Sequence, residues 1–315
     1  MQIDYLLSII SIFISIIFYF ATQKIFLSYG ITDEINNRSS HSVTSTRSGG
    51  FSIFIVIFII SFIYYILGIE LYDYSILIPL SLLFVTGLYD DVYKLDFKLK
   101  IIFQIIAAKI IIDNGLIIDN LHGLFGVFEL NRIIAQMFTI FFIVAIINSI
   151  NFIDGIDGLA ISIVILFLSL FELFSISQSD FFYLSIITIS SLVPLYYFNF
   201  SKKKKVFLGD SGSLFLGGAI SIFTIYILSN NYIIKPQFDL HKLIFVFSIL
   251  SYPIIDIIRI CFLRLINGKS PFIADKNHIH HLILSRTKNH SKATLIIVLF
   301  CILFLIIVQF LNRIL

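Results

Sequence analysis

Ten apolar runs, each parted from the next by a short polar stretch, leave this chain few ways to fold. They lie at about 5–27, 49–69, 75–89, 99–112, 133–148, 159–177, 181–199, 212–228, 243–260 and 294–311. Several approach the ~20 residues that carry an α-helix across a bilayer, and they are too long and too numerous for the alternating strands of a membrane barrel. Charged residues make up only 13% of the chain, where a soluble domain carries about a quarter. The expected class is therefore an all-α, multi-span integral membrane protein of about ten transmembrane helices. No internal repeat and no linker divides it, so residues 1–315 read as one polytopic domain. The first run is preceded by Asp4 and no basic residue, with Lys24 at its far end, and reads as a retained span and not a cleaved signal peptide. Cys261 and Cys301 are far apart and suggest neither a disulfide nor a cysteine metal site. Nucleic acid is not an expected partner; the lipid bilayer is.

Ten spans place the loops after spans 1, 3, 5, 7 and 9 on one side. Those loops and the adjoining span ends hold seventeen Lys and Arg residues, among them Arg38, Arg47, Lys94, Lys98, Lys100, Lys202 to Lys205 and Lys276. The other side holds four: Arg132, Lys235, Lys242 and Arg313. Basic loops stay in the cytoplasm, so the odd loops are expected inside and both termini outside. The same five loops carry the chain's polar phrases: "NNRSSHSVTSTRSGG", "GLYDDVYKLDFKLK", "NFIDGIDGLA", "KKKKVFLGDSGSLFLGG" and "SPFIADKNHIHHLIL". One polar site on the cytoplasmic face follows.

Each phrase admits a plain and a chemical reading. Asp90 and Asp91 are adjacent carboxylates that repel unless a cation, a shared proton or basic neighbours such as Lys94 relieve them. They start a solvated loop or form a Mg²⁺ or substrate-phosphate site, since hard oxygen ligands suit Mg²⁺. Asn151, Asp154 and Asp157 recur every three residues, which on a helix or tight turn places their oxygens on one side, beside Gly155 and Gly158. A helix cap accounts for one aspartate there but not for three polar groups. Asp210 stands in a glycine-flanked turn before a new span, as an N-cap or as a metal ligand next to an anion-binding helix start. The lysine run before it fixes topology and attracts anionic lipid, or contacts substrate directly. His278, His280 and His281 offer zinc ligands, hydrogen bonds to a diphosphate, or a solvated loop. Asp256 and Arg259, three apart near the end of the ninth run, read as a pair or as the lining of a polar cavity.

Taken in order, "DDVYK", "NFIDGIDGLA", "VFLGDSGSLFLG" and "KSPFIADKNHIHHLIL", with "RSSHSVTSTRSGG" before them, resemble the polyprenyl-phosphate N-acetylhexosamine-1-phosphate transferases. The superfamily includes the phospho-N-acetylmuramoyl-pentapeptide transferase. The similarity runs from about residue 38 to 284 and leans toward the GlcNAc-1-phosphate branch. It implies transfer of a HexNAc-1-phosphate, first GlcNAc-1-phosphate, from a UDP-N-acetylhexosamine to undecaprenyl phosphate, with release of UMP and Mg²⁺ (or Mn²⁺) as cofactor, in a bacterial inner membrane. The product would begin a lipid-linked cell-envelope glycan. By the same resemblance Asp210 and Asp91 would hold the metal. Asp90 or Asp91 would contact the metal or lipid phosphate or act as base, and His278, His280 and His281 would contact donor phosphates. Asn151, Asp154, Asp157 and Asn199 would bind the nucleotide donor, with Phe207 packing on uracil; independently of the resemblance, Lys94 and Lys98 are expected to bind substrate by neutralising its phosphate charge. A homodimer is a candidate assembly. The alternative from another class is a polytopic transporter, but its site is expected near the bilayer centre, whereas these aspartates gather at one face. A CDP-alcohol phosphotransferase would concentrate its aspartates in one helix-loop stretch, not over three loops.

Overall fold

The computed structural model describes residues 2–33, 45–124, 126–238, 240–268 and 277–314. Arg38, Lys269 and Lys276, with most of the "RSSHSVTST" and "SPFIAD" phrases, lie outside the described residues. Twelve α-helices are found among those described. They are α1 (Gln2–Ser28), α2 (Gly49–Ile66), α3 (Leu77–Tyr93), α4 (Phe97–Asp113), α5 (Arg132–Ile153), α6 (Leu159–Phe174), α7 (Phe182–Phe200), α8 (Gly209–Leu228), α9 (Lys242–Ile249), α10 (Ser251–Ile266), α11 (Ile279–Thr287) and α12 (His290–Ile314). Two short strands, β1 (Ser45–Thr46) and β4 (Lys205–Val206), pair in parallel, while β2 (Asn120–Leu124) and β3 (Val127–Glu129) form a hairpin.

Every expected apolar run forms helix, but not all in the expected way. Seven helices are long and apolar enough to cross a membrane, or eight with α9 and α10 taken as one bent span. Of the others, α6 is apolar but has only 16 residues, about 24 Å of helix against a hydrocarbon core of about 30 Å. Helix α4 carries Lys98, Lys100, Lys109 and Asp113. The ninth run, expected as one helix, is bent by 77° between Ile249 and Ser251. Pro253 explains the break: it has no N–H to donate, and its ring would meet the carbonyl of Ile249 if the helix ran straight.

Helix α8 is the axis of the molecule. Its whole apolar window is buried, as befits a helix that is hydrophobic all round, and α2, α3 and α5 pack along it. Helices α1 and α12 instead leave much of their apolar surface outward, the arrangement expected of lipid-facing helices. The N-terminal end of α8 is approached so closely that side chains are excluded. A Cβ on Gly50 of α2 would lie 2.0 Å from the Gly212 nitrogen, and one on Gly87 of α3 would lie 2.2 Å from the Asp210 carbonyl oxygen. Beside them, Asn148 of α5 donates to Gln104 Oε1 of α4 at 2.7 Å, tying two further helices together in the interior. Replacement of Gly50 by Ala must push α2 away from α8, because the obstacle is backbone. Gly50→Ala is expected to destabilise the protein by about 3 kcal/mol or more, read as a lowered midpoint of thermal unfolding in detergent. An unchanged midpoint would contradict the close approach.

Candidate active site

The first turn of α8 is where the polar phrases meet. A helix N-terminus presents N–H groups with no partner inside the helix, and at α8 they point into protein. Asp91, near the end of α3, supplies what they need. Its Oδ1 accepts from the Asp210 N–H and its Oδ2 from the Ser211 N–H, both at 2.9 Å. The Asp91 side chain is fully buried, and Arg47 Nη1 stands 3.7 Å from its Oδ1. Arg47 also holds Asp33, at 2.6 Å. Burial alone would lower the Arg47 guanidinium, but the charges of Asp33, Asp91 and Asp210 hold it above its ordinary value. Asp91, expected as a metal ligand, thus has both oxygens engaged by backbone.

Asp90, one residue earlier, turns a different way. Its Oδ1 accepts from the Leu95 N–H at 2.6 Å, and its Oδ2 lies 3.0 Å from Lys100 Nζ. The same ammonium is hydrogen-bonded to Asp210 Oδ2. Lys100 therefore bridges Asp90 and Asp210, whereas Lys94 and Lys98, the lysines expected to reach substrate, are exposed. Lys100 heads the buried stripe of α4, with Gln104, Ala107, Ala108 and Ile111. That spacing was the available signal, because a lysine continuing the core-facing stripe of an apolar helix points inward.

The "NFIDGIDGLA" phrase ends α5 and turns into α6. Asn151 Nδ2 donates to Asp210 Oδ1 at 3.2 Å and to Ser213 Oγ at 2.7 Å. Asp154 follows as a half-buried carboxylate at the C-cap of α5. Burial, then the charges of Asp210 and Asp91, push it well above the usual carboxylate range. Asp157 is drawn to other partners. Its Oδ2 accepts from buried Lys205 at 2.6 Å, and its N–H donates to His290 Nδ1 at 3.1 Å. Asn199 is likewise engaged by backbone, accepting from the Gly158 N–H at 2.6 Å and donating to the Val206 carbonyl at 2.9 Å. The turn is thereby fastened to β4. Phe207, the next residue, has a half-buried ring with Lys205 Nζ 5.1 Å from its centroid.

The histidines pack on the same turn. A Cβ on Gly155 would lie 2.7 Å from His280 Nε2 and 3.3 Å from His281 Nε2. The His278 ring lies 5.6 Å from that of Phe152. His280 is sealed in and neutral: burial, then the charges of His281 and His278, push it down to about 3. Asp256, read from the sequence beside Arg259, bonds His278 instead, and Arg259 donates to the Asn277 carbonyl. The ligand atoms of Asp256, His278 and His280 lie within 4.8 Å of one another. Nδ1 of each histidine is already hydrogen-bonded, to Asp256 and Tyr252 respectively.

A divalent cation fits the α8 end better. Asp90, Asp91, Asp154 and Asp210 gather there against Lys100 and Arg47 among the described residues. Arg47 is shared with Asp33. With all four carboxylates ionised the excess negative charge is about that of one divalent ion, and the donors are hard oxygens of the kind Mg²⁺ takes. Lys100 already occupies a cation's place between two of them. Asp90 and Asp210 share Lys100 while Asp91 meets the α8 backbone, and each of their oxygens keeps a further lone pair for a cation.

Known proteins match the chain over most of its length. It is 32% identical over 289 residues to a probable undecaprenyl-phosphate N-acetylglucosaminyl 1-phosphate transferase of Bacillus subtilis (strain 168), spanning 90% of this chain and 77% of that relative. Undecaprenyl-phosphate alpha-N-acetylglucosaminyl 1-phosphate transferases of Pasteurella multocida (strain Pm70) and Haemophilus influenzae are 33% and 34% identical. The matches cover 94% and 85% of this chain, and 82% and 76% of the relatives. Glycosyl transferase family 4 matches residues 74–228, which run from the turn before α3 through α8 and contain Asp90, Asp91, Lys100, Asn151, Asp154 and Asp210. The chain belongs to glycosyl transferase family 4.

Proposed function

We propose that this protein transfers GlcNAc-1-phosphate from UDP-GlcNAc to undecaprenyl phosphate, releasing UMP, at the cytoplasmic face of a bacterial inner membrane. The observation that carries the reading is the set of carboxylates around Lys100 at the N-terminus of α8, in a chain whose relatives are named for this transfer. Ten spans, with α4, α6 and the bent α9–α10 pair included, would put both termini outside and the basic loops with this site inside.

Both substrates are anions, one soluble and one lipid-bound, so the site's task is to align them and hold their charge. An oxygen of the lipid phosphate attacks the phosphorus that carries the sugar. A new P–O bond forms as the bond to UMP breaks, and UMP leaves with that electron pair. A phosphate monoester loses its second proton near pH 6, so the attacking oxygen is already ionised at neutral pH and no general base is needed. Asp91 then acts by fixing the first turn of α8. Asp210, Asp90 and Asp154 would hold Mg²⁺, or Mn²⁺ in its place. When bound, the ion supplies charge neutralisation and orientation at the phosphates. Lys100, released from the carboxylates it bridges, is placed to meet a phosphate oxygen. Phe207, beside Lys205, is the residue that the resemblance sets against uracil.

Purified protein given undecaprenyl phosphate, Mg²⁺ and a panel of UDP-sugars is expected to release UMP with UDP-GlcNAc. No UMP with any donor would sink the reading. Asp210→Asn is expected to lower kcat by about 10²- to 10³-fold, the usual cost of removing a charge-stabilising group, with the fold retained. Lys100→Ala should cost more than Lys94→Ala or Lys98→Ala, and equal losses would argue against the bridge. Asp154 makes a pH-dependent prediction. Its raised native pKa means that its charge penalises folding, an effect absent below the unfolded value of about 3.9, growing as pH rises from there toward the native value and constant above it. Without divalent ions, Asp154→Asn should therefore raise the unfolding midpoint at pH 8 more than at pH 5. Mg²⁺ should stabilise the wild type more than the variant, as measured by thermal unfolding.

A further inference from the structure

Helix α11 begins in protein, as α8 does, and a carboxylate from another helix again meets it. Asp256 of α10 accepts from the Ile279 N–H through Oδ1 at 2.8 Å and from His278 Nδ1 through Oδ2 at 2.6 Å. Asp256 and His278 are 2% and 6% exposed, so water does not compete for these bonds. A carboxylate only accepts, so the proton between them belongs to His278 Nδ1. That leaves His278 Nε2 without a partner among the described residues. The ring itself is held against Phe152, next to Asn151 and its bond to Asp210. His280 is arranged otherwise, with Nδ1 on the Tyr252 hydroxyl at 2.9 Å and Nε2 buried against Gly155. Of these two histidines, His278 is the one whose orientation a carboxylate sets.

We propose that Asp256 is a positioning residue for the transfer: it holds His278 in the Nδ1–H form with its ring oriented, so that Nε2 meets a phosphate oxygen of the nucleotide donor. To donate to an anionic oxygen Nε2 must also carry a proton, drawn from solvent, and the imidazolium so formed is paired with Asp256 through the bond already in place. The proton stays on His278; the contact stabilises charge collecting on the phosphate of departing UMP. Loss of Asp256 is then felt in turnover and not only in stability. An asparagine can keep the Ile279 bond through its oxygen, but it turns an NH₂ toward Nδ1. That favours the proton on Nε2 and leaves the cation unpaired.

The role of the contact rests on the transferase reading above, but the tautomer does not. In protein labelled with ¹⁵N-histidine and held without substrates, the His278 shifts should report a protonated Nδ1 in the wild type; an unprotonated Nδ1 overturns the proposal without any variant. In Asp256→Asn the proton should move to Nε2, and an unchanged tautomer counts against it. In the UMP-release assay, Asp256→Asn should lower kcat and kcat/KM together by about 10- to 100-fold. His278→Ala should do the same, and the double variant should be no worse than the poorer single one. Asp256→Glu, which keeps a carboxylate, should recover part of kcat at an unfolding midpoint no higher than that of Asp256→Asn. Losses that multiply in the double variant, or an Asp256→Asn kcat close to wild type, overturn the proposal. A wild type that releases no UMP from any donor while showing the Nδ1–H tautomer counts against the transferase reading instead.

Discussion

The paired hydrogen bonds from the Asp91 carboxylate to the first turn of α8 are the constraint on which the rest of the site depends. Helix α8 is buried along its length, so its N-terminal N–H groups have no water to turn to, and an unpaired buried donor costs about 1–3 kcal/mol. One carboxylate satisfies two of them and places a negative charge at the positive end of the helix dipole. The consequence for Asp90 follows from helix geometry. Neighbouring residues point about 100° apart around a helix, so with Asp91 committed to α8, Asp90 faces Lys100 and the adjoining carboxylates. Two consecutive aspartates thereby meet different partners, one the α8 backbone and one Lys100.

The site around them is arranged to hold charge. Asp210 lies between Asn151 and Lys100, Asp154 is kept close to its neighbours at an electrostatic cost, and Arg47 offsets only part of the excess. Such a cluster is poor engineering for stability and suitable for a ligand that brings positive charge or for anions that arrive with a cation. Rigid surroundings make the arrangement possible. The close crossings at Gly50 and Gly87 leave the start of α8 little room to move, and Asn199 and the Asp157–Lys205 pair brace the turn that carries Asn151 and Asp154. The same device recurs where Asp256 caps α11, so α8 and α11 both begin on a carboxylate from a different helix.

Much of this was legible in the residues. The apolar runs formed helices, and the polar phrases met at one end of the bundle, because hydrophobic length and periodicity act over short separations and survive packing. The ninth run broke at Pro253 for a reason visible in the chain. The distribution of roles within the polar phrases was less legible. Lys94 and Lys98 stand nearer to Asp91 in sequence than Lys100 does, yet only Lys100 continues the inward stripe of α4. Asp157 matches the spacing of Asn151 and Asp154, yet Lys205 and His290 take it away from the carboxylates at α8. Asp256 looked like the natural partner of Arg259, one helical turn away, until α11 came against it.

The sequence by itself determined the class of fold, the apolar lengths that become helices, the polar phrases that interrupt them and the family to which they belong. All of these depend on composition and on spacing along one segment. Only the tertiary structure decided which carboxylate caps a helix, which faces a cation and which is neutralised by lysine. Those assignments depend on contacts between residues far apart in the chain, such as Asp91 and Asp210, 119 positions apart. A carboxylate's role is set by the donors and charges that packing brings within about 3 Å of it, and no local pattern states which helix will arrive there.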